Sequence, residues 1–294
     1  MLKKSLLIEN KSSITTKNNQ LVIKSEIRES SIPIEDIGYV VLDHPEIYLS
    51  IPAMNFLIEN NTALIICSTN HLPNGMFLNL KSHHIQQEIF KKQINASVPL
   101  KKQLWQQTIV EKITNQGLLL EKNANTKNAL EFLASKVLSG DSSNMEGVAA
   151  AMYWKQFFEI KFKRERFGDY PNNFLNYGYA ILRAATARSL SGSGLLNTLG
   201  IHHKSKYNAF ALADDIMEPF RPIVDEKVLE IMKNYDEQEL NTVIKSELLQ
   251  ILTRTVYFEE EKSPLMVALQ KTSSSLQQCF TGERKKIKYP KLWS

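Results

Sequence analysis

The chain has 294 residues, 43% hydrophobic and 23% charged, a composition that excludes a disordered segment or a small stapled module and leaves room for two cores. Its net charge of +5, from 36 basic and 31 acidic residues, is compatible with a polyanionic partner without being diagnostic of one. The two cysteines, Cys67 and Cys279, lie far apart and match no metal-ligand spacing, and two alone make no disulfide framework; no apolar run approaches the roughly 18 residues of a membrane span, and "MLKKSLLIENKSS" holds too short an apolar stretch for a signal-peptide core, so a cytoplasmic protein is expected.

Residues 1–90 read as a β-rich domain. "SLLIEN" and "QLVIKS" flank a polar segment whose "KNNQ" is a hairpin signal, and "YVVLD" (39–43) and "ALIICS" (63–68) are β-branched runs. Between those runs, Ser50 precedes "IPAMNFLIENN", with a cap, a first-turn proline and an Asn stop, predicting one short helix. "LPNGMFL" is expected to close a turn, and "NASVPLKK" (95–102) is the best linker candidate. Residues 91–294 carry the helical period instead: Trp105, Ile109 and Ile113, then Leu130, Leu133 and Val137. "FLNYGYAILRAATARSL" is helical and rich in small residues, so another element can approach it closely. "ELNTVIKSELLQILTRTVYF" keeps the period, and Ser263 with Pro264 predicts the start of a last helix. The expected fold is α+β: a small N-terminal β-rich domain followed by a larger all-helical one.

Three places in the helical domain offer ligands for a hard cation. Glu146 follows Ser143 in the S-x-x-E pattern of a capping box, which explains the glutamate without chemistry, although Gly147 and the alanines behind it leave space beside the carboxylate. His202 and His203 are adjacent on an extended segment, so their rings point to opposite sides; one buried and one exposed is the plain expectation. In "ADDIMEPFRP", Asp215 and Glu218 are three apart and share a helix face, while Asp214 points elsewhere. Acidic residues suit a helix start, but Pro219 constrains the turn and disfavours helical geometry at Glu218. Glu, His and a further carboxylate suit Mn²⁺ or Mg²⁺. Such a cation polarises a phosphodiester and acidifies an attacking hydroxyl. His83 and His84 have no carboxylate cluster nearby. Lys161, Lys163, Arg164 and Arg166, interleaved with Phe162 and Phe167, and the tail lysines of "ERKKIKYPK" could grip phosphates; a solvated face and a frayed tail are the plainer alternative.

"MEGVAAAMYW", "LNYGYAILRAATARSL", "GLLNTLGIHH" and "LADDIMEPFRPIVD" occur in this order, and together they resemble the CRISPR-associated adaptation integrases, the first of the Cas proteins. The resemblance extends over nearly the whole chain, with "IPIEDIGYVVLDHPEIYLS" similar to the family's β-domain and "PLKKQLWQQTIVEKITNQ" to the start of its helical domain. It implies catalytic metal ligands Glu146, His203 and Glu218, the last in place of the Asp that many relatives carry, with Asp215 in support. The implied cofactor is Mn²⁺ or Mg²⁺. The implied reaction is attack of a DNA 3′-hydroxyl on a phosphodiester at a CRISPR repeat, inserting a fragment of double-stranded DNA. No ATP is needed, and no phosphate-binding G-x-x-x-x-G-K-[ST] loop occurs. The implied partners are a second copy of the chain, through the β-domain, and a small ferredoxin-like protein that bridges dimers into a heterohexamer. "HH" and "MEPFRP" look most like versions from type II systems. Two rivals stand beside this expectation: a DNA-binding scaffold without catalysis, and an HD-type phosphohydrolase. The latter needs a contiguous His-Asp pair, which this chain lacks.

Overall fold

The computed structural model describes residues 3–124, 130–158, 162–165 and 168–293. Lys161, Arg166 and Phe167 of the expected basic patch lie outside them. The chain divides into two compact units, Met1–His84 and Ile85–Ser294.

In the first unit, strands β1 (Lys4–Ile8), β2 (Ser12–Lys17), β3 (Gln20–Ser25), β4 (Glu29–Pro33), β5 (Ile37–Leu42) and β6 (Ile47–Leu49) precede helix α1 (Ile51–Glu59) and strands β7 (Ala63–Cys67) and β8 (Pro73–Phe77). They form two four-stranded sheets, ordered β1-β5-β7-β8 and β4-β3-β2-β6. The "KNNQ" turn does form a hairpin. Asn18 and Asn19 take positive φ of 50° and 59°, and Lys17 pairs directly with Gln20. The strand joined to "QLVIKS" is "SSITTK", however, because a two-residue loop pairs its immediate flanks. "SLLI" runs parallel to β5 in the other sheet. Helix α1 starts as expected: the Ser50 hydroxyl accepts from the Ala53 N–H at 3.3 Å and Asn60 ends the helix. "PNGMF" is not a turn but the edge strand β8, antiparallel to β7; an edge tolerates its proline and glycine. The core is a cluster of Ile14, Leu21, Ile37, Val40, Leu57 and Leu64, supplied by both sheets and α1.

The second unit holds α2 (Gln86–Ile94), α3 (Val98–Ala124), α4 (Glu131–Ser135), α5 (Met145–Phe157), α6 (Asn172–Gly192), α7 (Ala211–Met217), α8 (Arg221–Asn234), α9 (Thr242–Leu249), strands β9 (Thr255–Phe258) and β10 (Glu261–Pro264), and α10 (Leu265–Thr281). Residues 98–102 of the expected linker are therefore helical. Ser97 caps α3 by accepting from the Leu100 N–H, and Pro99 falls in the first turn, where its missing donor costs nothing. Nor is this unit all-helical, since β9 and β10 make an antiparallel hairpin. Ser263 lies in β10 rather than at a helix cap; Pro264 ends that strand and is itself the N-cap of α10, which has no side-chain cap.

Helix α6 is buried nearly all round and packs against α7, α8, α9 and α10. Its small residues permit this: a Cβ at Gly178 would collide with Val224 of α8. The basic tail is not frayed. The Ile287 N–H donates to the Gln107 side chain at 2.9 Å, the Lys288 N–H to Ser275 at 2.9 Å, and Tyr257 and Lys291 exchange backbone hydrogen bonds. Lys288 and Lys291 pair with Glu259 and Glu260 in the hairpin turn, so both are partly neutralised. Among the described residues no helix is long and apolar enough to cross a membrane.

Candidate active site

One face of α3 organises the site. Trp105, Thr108, Lys112 and Asn115 recur at helical spacing and all are buried. A charged or polar group within an apolar stripe must find partners, and each contact made by Lys112 and Asn115 holds a piece of the site. The Asn115 amide donates to the Pro219 carbonyl at 2.9 Å, fixing the turn that carries Glu218. The Lys112 ammonium lies 2.6 Å from Glu146 Oε1 and 2.6 Å from Glu218 Oε2. The two carboxylate oxygens are thus no farther apart than twice that distance, although their residues are far apart in sequence.

Glu146 reaches this point because other side chains cap its helix. The N-cap of α5 is Asn144, in the left-handed region with φ 53°, and its Oδ1 accepts from the Gly147 N–H at 3.3 Å. Asp141 accepts from the N–H groups of Met145 at 2.8 Å and Glu146 at 3.0 Å. The first-turn donors are satisfied without a Ser143–Glu146 box, so the Glu146 carboxylate turns to Lys112. Nor does Gly147 leave open space. A Cβ there would lie 2.8 Å from the Asn144 side chain, so Gly147 makes room for the cap.

Glu218 sits at the start of a 3₁₀ turn, Glu218–Phe220, between α7 and α8. Pro219 ends the regular helix, yet Glu218 itself keeps right-handed helical angles of −50° and −46°, against the expectation. Its Oε1 is 2.9 Å from Arg221 Nε, and Arg221 also lies over the Tyr179 ring at 4.6 Å. Burial is the largest single influence on the Glu218 carboxyl and opposes its ionisation. The charges of Arg221 and Lys112 together outweigh it and hold the carboxyl at about 2. Burial likewise acts against the Lys112 ammonium, but Glu218 and Glu146 raise it above its ordinary value. Glu218 and Lys112 are therefore both charged at neutral pH.

Asp214 points elsewhere as expected, but Asp215 and Glu218, expected on one face, take different partners. Asp214 binds Arg183 and Asn208 at 2.6 and 2.8 Å. Asp215 is wholly buried and accepts from the backbone N–H groups of Ile201, His202 and His203 at 2.6, 3.0 and 3.2 Å. Its Oδ1 also meets His203 Nδ1 at 2.5 Å. Gly200 makes this possible, because a Cβ there would lie 2.7 Å from Asp215 Oδ2. The hydrogen bond that His203 donates to Asp215, more than any other influence, raises its imidazole above the usual value, with Glu218 adding to the push. The adjacent histidine rings stand at 86° to each other, yet both lie against Trp105 rather than on opposite sides. His202 stacks on Trp105 at 4.1 Å, and His203 meets the same indole edge-on. Neither is buried.

Glu146 and Glu218 are thus brought to one ammonium, while His203 is held by Asp215 from the same short α7. Among the described residues, no three of His, Cys, Asp and Glu are gathered tightly enough to hold a metal as the side chains stand. Beside His203 opens a pocket of about 510 Å³ whose walls include Lys101, Lys204, Lys206 and Tyr207. Sequence reasoning did not single out Lys112, Asn115, Arg221 or Asp141. The signal for the first two was present as polar residues on the apolar stripe of Trp105, Ile109 and Ile113.

The chain's relatives agree with this architecture. The family model described as "CRISPR associated protein Cas1" matches residues 6–255. The CRISPR-associated endonuclease Cas1 of Neisseria meningitidis serogroup C (strain 8013) is 37% identical over 293 residues, covering 98% of this chain and 96% of that protein. Among solved structures, a casposase bound to integration product superimposes with a TM-score of 0.81 at 20% identity, covering 98% of this chain and 93% of that one. A Cas6-RT-Cas1–Cas2 complex superimposes with a TM-score of 0.74 at 20% identity, covering 96% of this chain and 35% of that one. At such identity these two likenesses speak for the fold, the α+β arrangement of a β-rich unit followed by a helical one. Together with the near full-length relative and the match across most of the sequence, they place the chain in the Cas1 family of CRISPR-associated proteins.

Proposed function

We propose that the chain is the metal-dependent DNA integrase and endonuclease of CRISPR adaptation, with Glu146, His203 and Glu218 as its catalytic metal ligands. The observation that carries this reading is the convergence of Glu146 and Glu218 on one ammonium, with His203 near enough to Glu218 to feel its charge. The donors fit a hard dication in kind: two carboxylates and an imidazole whose partner, Asp215, is of the type that orients metal-bound histidines. Glu218 Oε2 adds to the fit, because it is buried and its 2.6 Å approach to Lys112 lacks the alignment of a hydrogen bond. When bound, Mg²⁺ or Mn²⁺ supplies charge neutralisation at phosphorus and acidifies an attacking hydroxyl.

The chain's own residues supply alignment. Asp215 fixes Nδ1 of His203, which turns Nε2 to the other edge of the ring as the ligand atom. Asn115 and Arg221 hold the Glu218 turn, and Asp141 with Asn144 holds the start of α5. Lys101, Lys204 and Lys206 give the phosphate backbone a cationic wall beside His203. Transfer of a phosphodiester to a 3′-hydroxyl conserves the bond, so it asks for positioning and charge rather than a protein nucleophile. The substrates are then an incoming DNA duplex and the CRISPR repeat. The assembly is a homodimer bridged by a small ferredoxin-like partner into a heterohexamer, in the cytoplasm. The solved relatives described as bound to integration product and as a Cas1–Cas2 complex support DNA and a Cas2 partner. Membership of the Cas1 family leaves the HD-type alternative without footing.

The test is joining of a short duplex to a repeat-containing plasmid by the purified protein, its small partner and Mg²⁺ or Mn²⁺. Glu146→Ala, His203→Ala and Glu218→Ala are each expected to abolish joining while DNA binding persists. Wild-type protein that binds DNA but joins nothing under either metal would establish the scaffold reading instead.

A further inference from the structure

The Lys112 ammonium stands where the proposed site would hold its cation. It touches both carboxylates at 2.6 Å, its side chain is only 10% exposed, and it comes from a third helix, α3, that contributes no proposed ligand. A buried lysine with ordinary structural duties needs one carboxylate; this one is shared between the two whose roles matter most. With Arg221 on the far oxygen of Glu218, the four side chains sum to zero charge. A dication arriving at such a cluster meets no net negative charge and finds its oxygens already engaged.

We propose that Lys112 is an internal counter-ion that occupies the metal position, so that metal binding requires its ammonium to leave the Glu146 and Glu218 oxygens. This rests on the metal reading above and adds to it a competitor built into the fold. The lysine keeps the two carboxylates facing one another before the metal arrives, which like charges alone would not do. It also sets the metal affinity, because every dication bound must displace it. Once displaced, it would stay tethered to α3 beside the site, as a cation available to a phosphate group.

The experiment is direct measurement of Mn²⁺ binding to the full chain by electron paramagnetic resonance, with Mg²⁺ binding by calorimetry, for wild type and Lys112→Met. Methionine keeps the length and apolar stem while removing the charge. Removing a unit charge from so poorly solvated a site is expected to tighten the dissociation constant by roughly tenfold or more. A purely structural ion pair predicts the reverse: lower thermal stability with equal or weaker metal binding, and that result overturns the proposal. If Lys112→Met does not fold, the wild-type side-chain ammonium resonance answers the question. It should move or broaden away as Mg²⁺ saturates the protein, and an unchanged signal at saturation overturns the proposal. Absence of binding in both proteins removes the metal reading itself, and the counter-ion with it. Equal affinities remove the counter-ion alone.

Discussion

Asp215 holds His203 at two points: its Oδ1 accepts from the His203 backbone N–H at 3.2 Å and lies 2.5 Å from the ring Nδ1. Backbone position and ring orientation are therefore set by one wholly buried carboxylate. Asp215→Asn keeps the shape but turns an amide N–H₂ toward a cluster made of donors. Joining is expected to fall about 10- to 100-fold, the usual cost of losing the group that orients a metal-bound histidine. Metal affinity, measured on the same variant, should fall in parallel. Unchanged joining would mean that His203 needs no such support.

The two proposed carboxylate ligands should differ in stability although both are needed for activity. The Glu218 side chain is 5% exposed and faces Lys112 and Arg221, whereas Glu146 is 27% exposed. Removing Glu218 leaves two buried cations facing each other, at a cost of about 3 kcal/mol. Removing Glu146 exposes less charge to a wetter edge and should cost under about 1 kcal/mol. Chemical denaturation of Glu218→Ala and Glu146→Ala compares them. Equal losses would contradict the burial argument.

The parts of this molecule that were legible in sequence were those governed by local rules. Ser50 with Pro52 marks α1, Asn18-Asn19 marks a tight turn, and the period of four marks α3. Errors came where a longer-range partner outbid the local one. "SLLI" left its hairpin neighbour for a parallel place beside β5, and Ser263 went into a hairpin that Tyr257 and Lys291 extend. Glu146 is the instructive case. The S-x-x-E pattern was present, but Asn144 tolerates the left-handed conformation and Asp141 already serves the first-turn donors. That released the glutamate for Lys112. No spacing rule connects position 112 to 146 and 218, so the lysine was visible only as a charge on an apolar stripe.

Asp225 should give the protein a distinct pH signature. It lies 1% exposed near the start of α8, accepting from Tyr153 at 2.8 Å and from Tyr179, with Arg164 and Arg221 over the Tyr179 ring. Burial, the dominant influence, raises its carboxyl to about 6 from 3.8, against the tyrosine hydrogen bonds and arginine charges that lower it. A raised carboxyl binds its proton more tightly when folded. Its contribution to stability is therefore present in full below 3.8 and is lost as pH rises through about 6. Asp225→Asn abolishes this term. Between pH 7 and 4 the stability of wild type relative to Asp225→Asn should rise, by about 3 kcal/mol at most. Thermal melts across that range test the sign. A difference that is flat or falls toward acid would show that Asp225 is not held as described.

The C-terminal strap should matter to the site although none of its residues belongs to it. Tyr289 OH shares a hydrogen bond with Thr108 at 2.9 Å, one turn before Lys112, and its ring lies 6.0 Å from Phe220, in the turn that carries Glu218. Farther on, Trp293 Nε1 donates to Glu226 at 2.8 Å, and Ile287 and Leu292 are buried. Losing the hydroxyl alone, in Tyr289→Phe, should cost about 1 kcal/mol and leave joining near the wild-type rate. Losing the ring, in Tyr289→Ala, opens space beneath Phe220 and should cost about 3 kcal/mol. It should also slow joining, because the Glu218 turn and the Lys112 face of α3 lose a shared support. Ending the chain at Gly282 should do both more severely. If the truncated protein melts and joins like the full chain, the strap is a passenger, and the tail's hydrogen bonds carry no weight for the site.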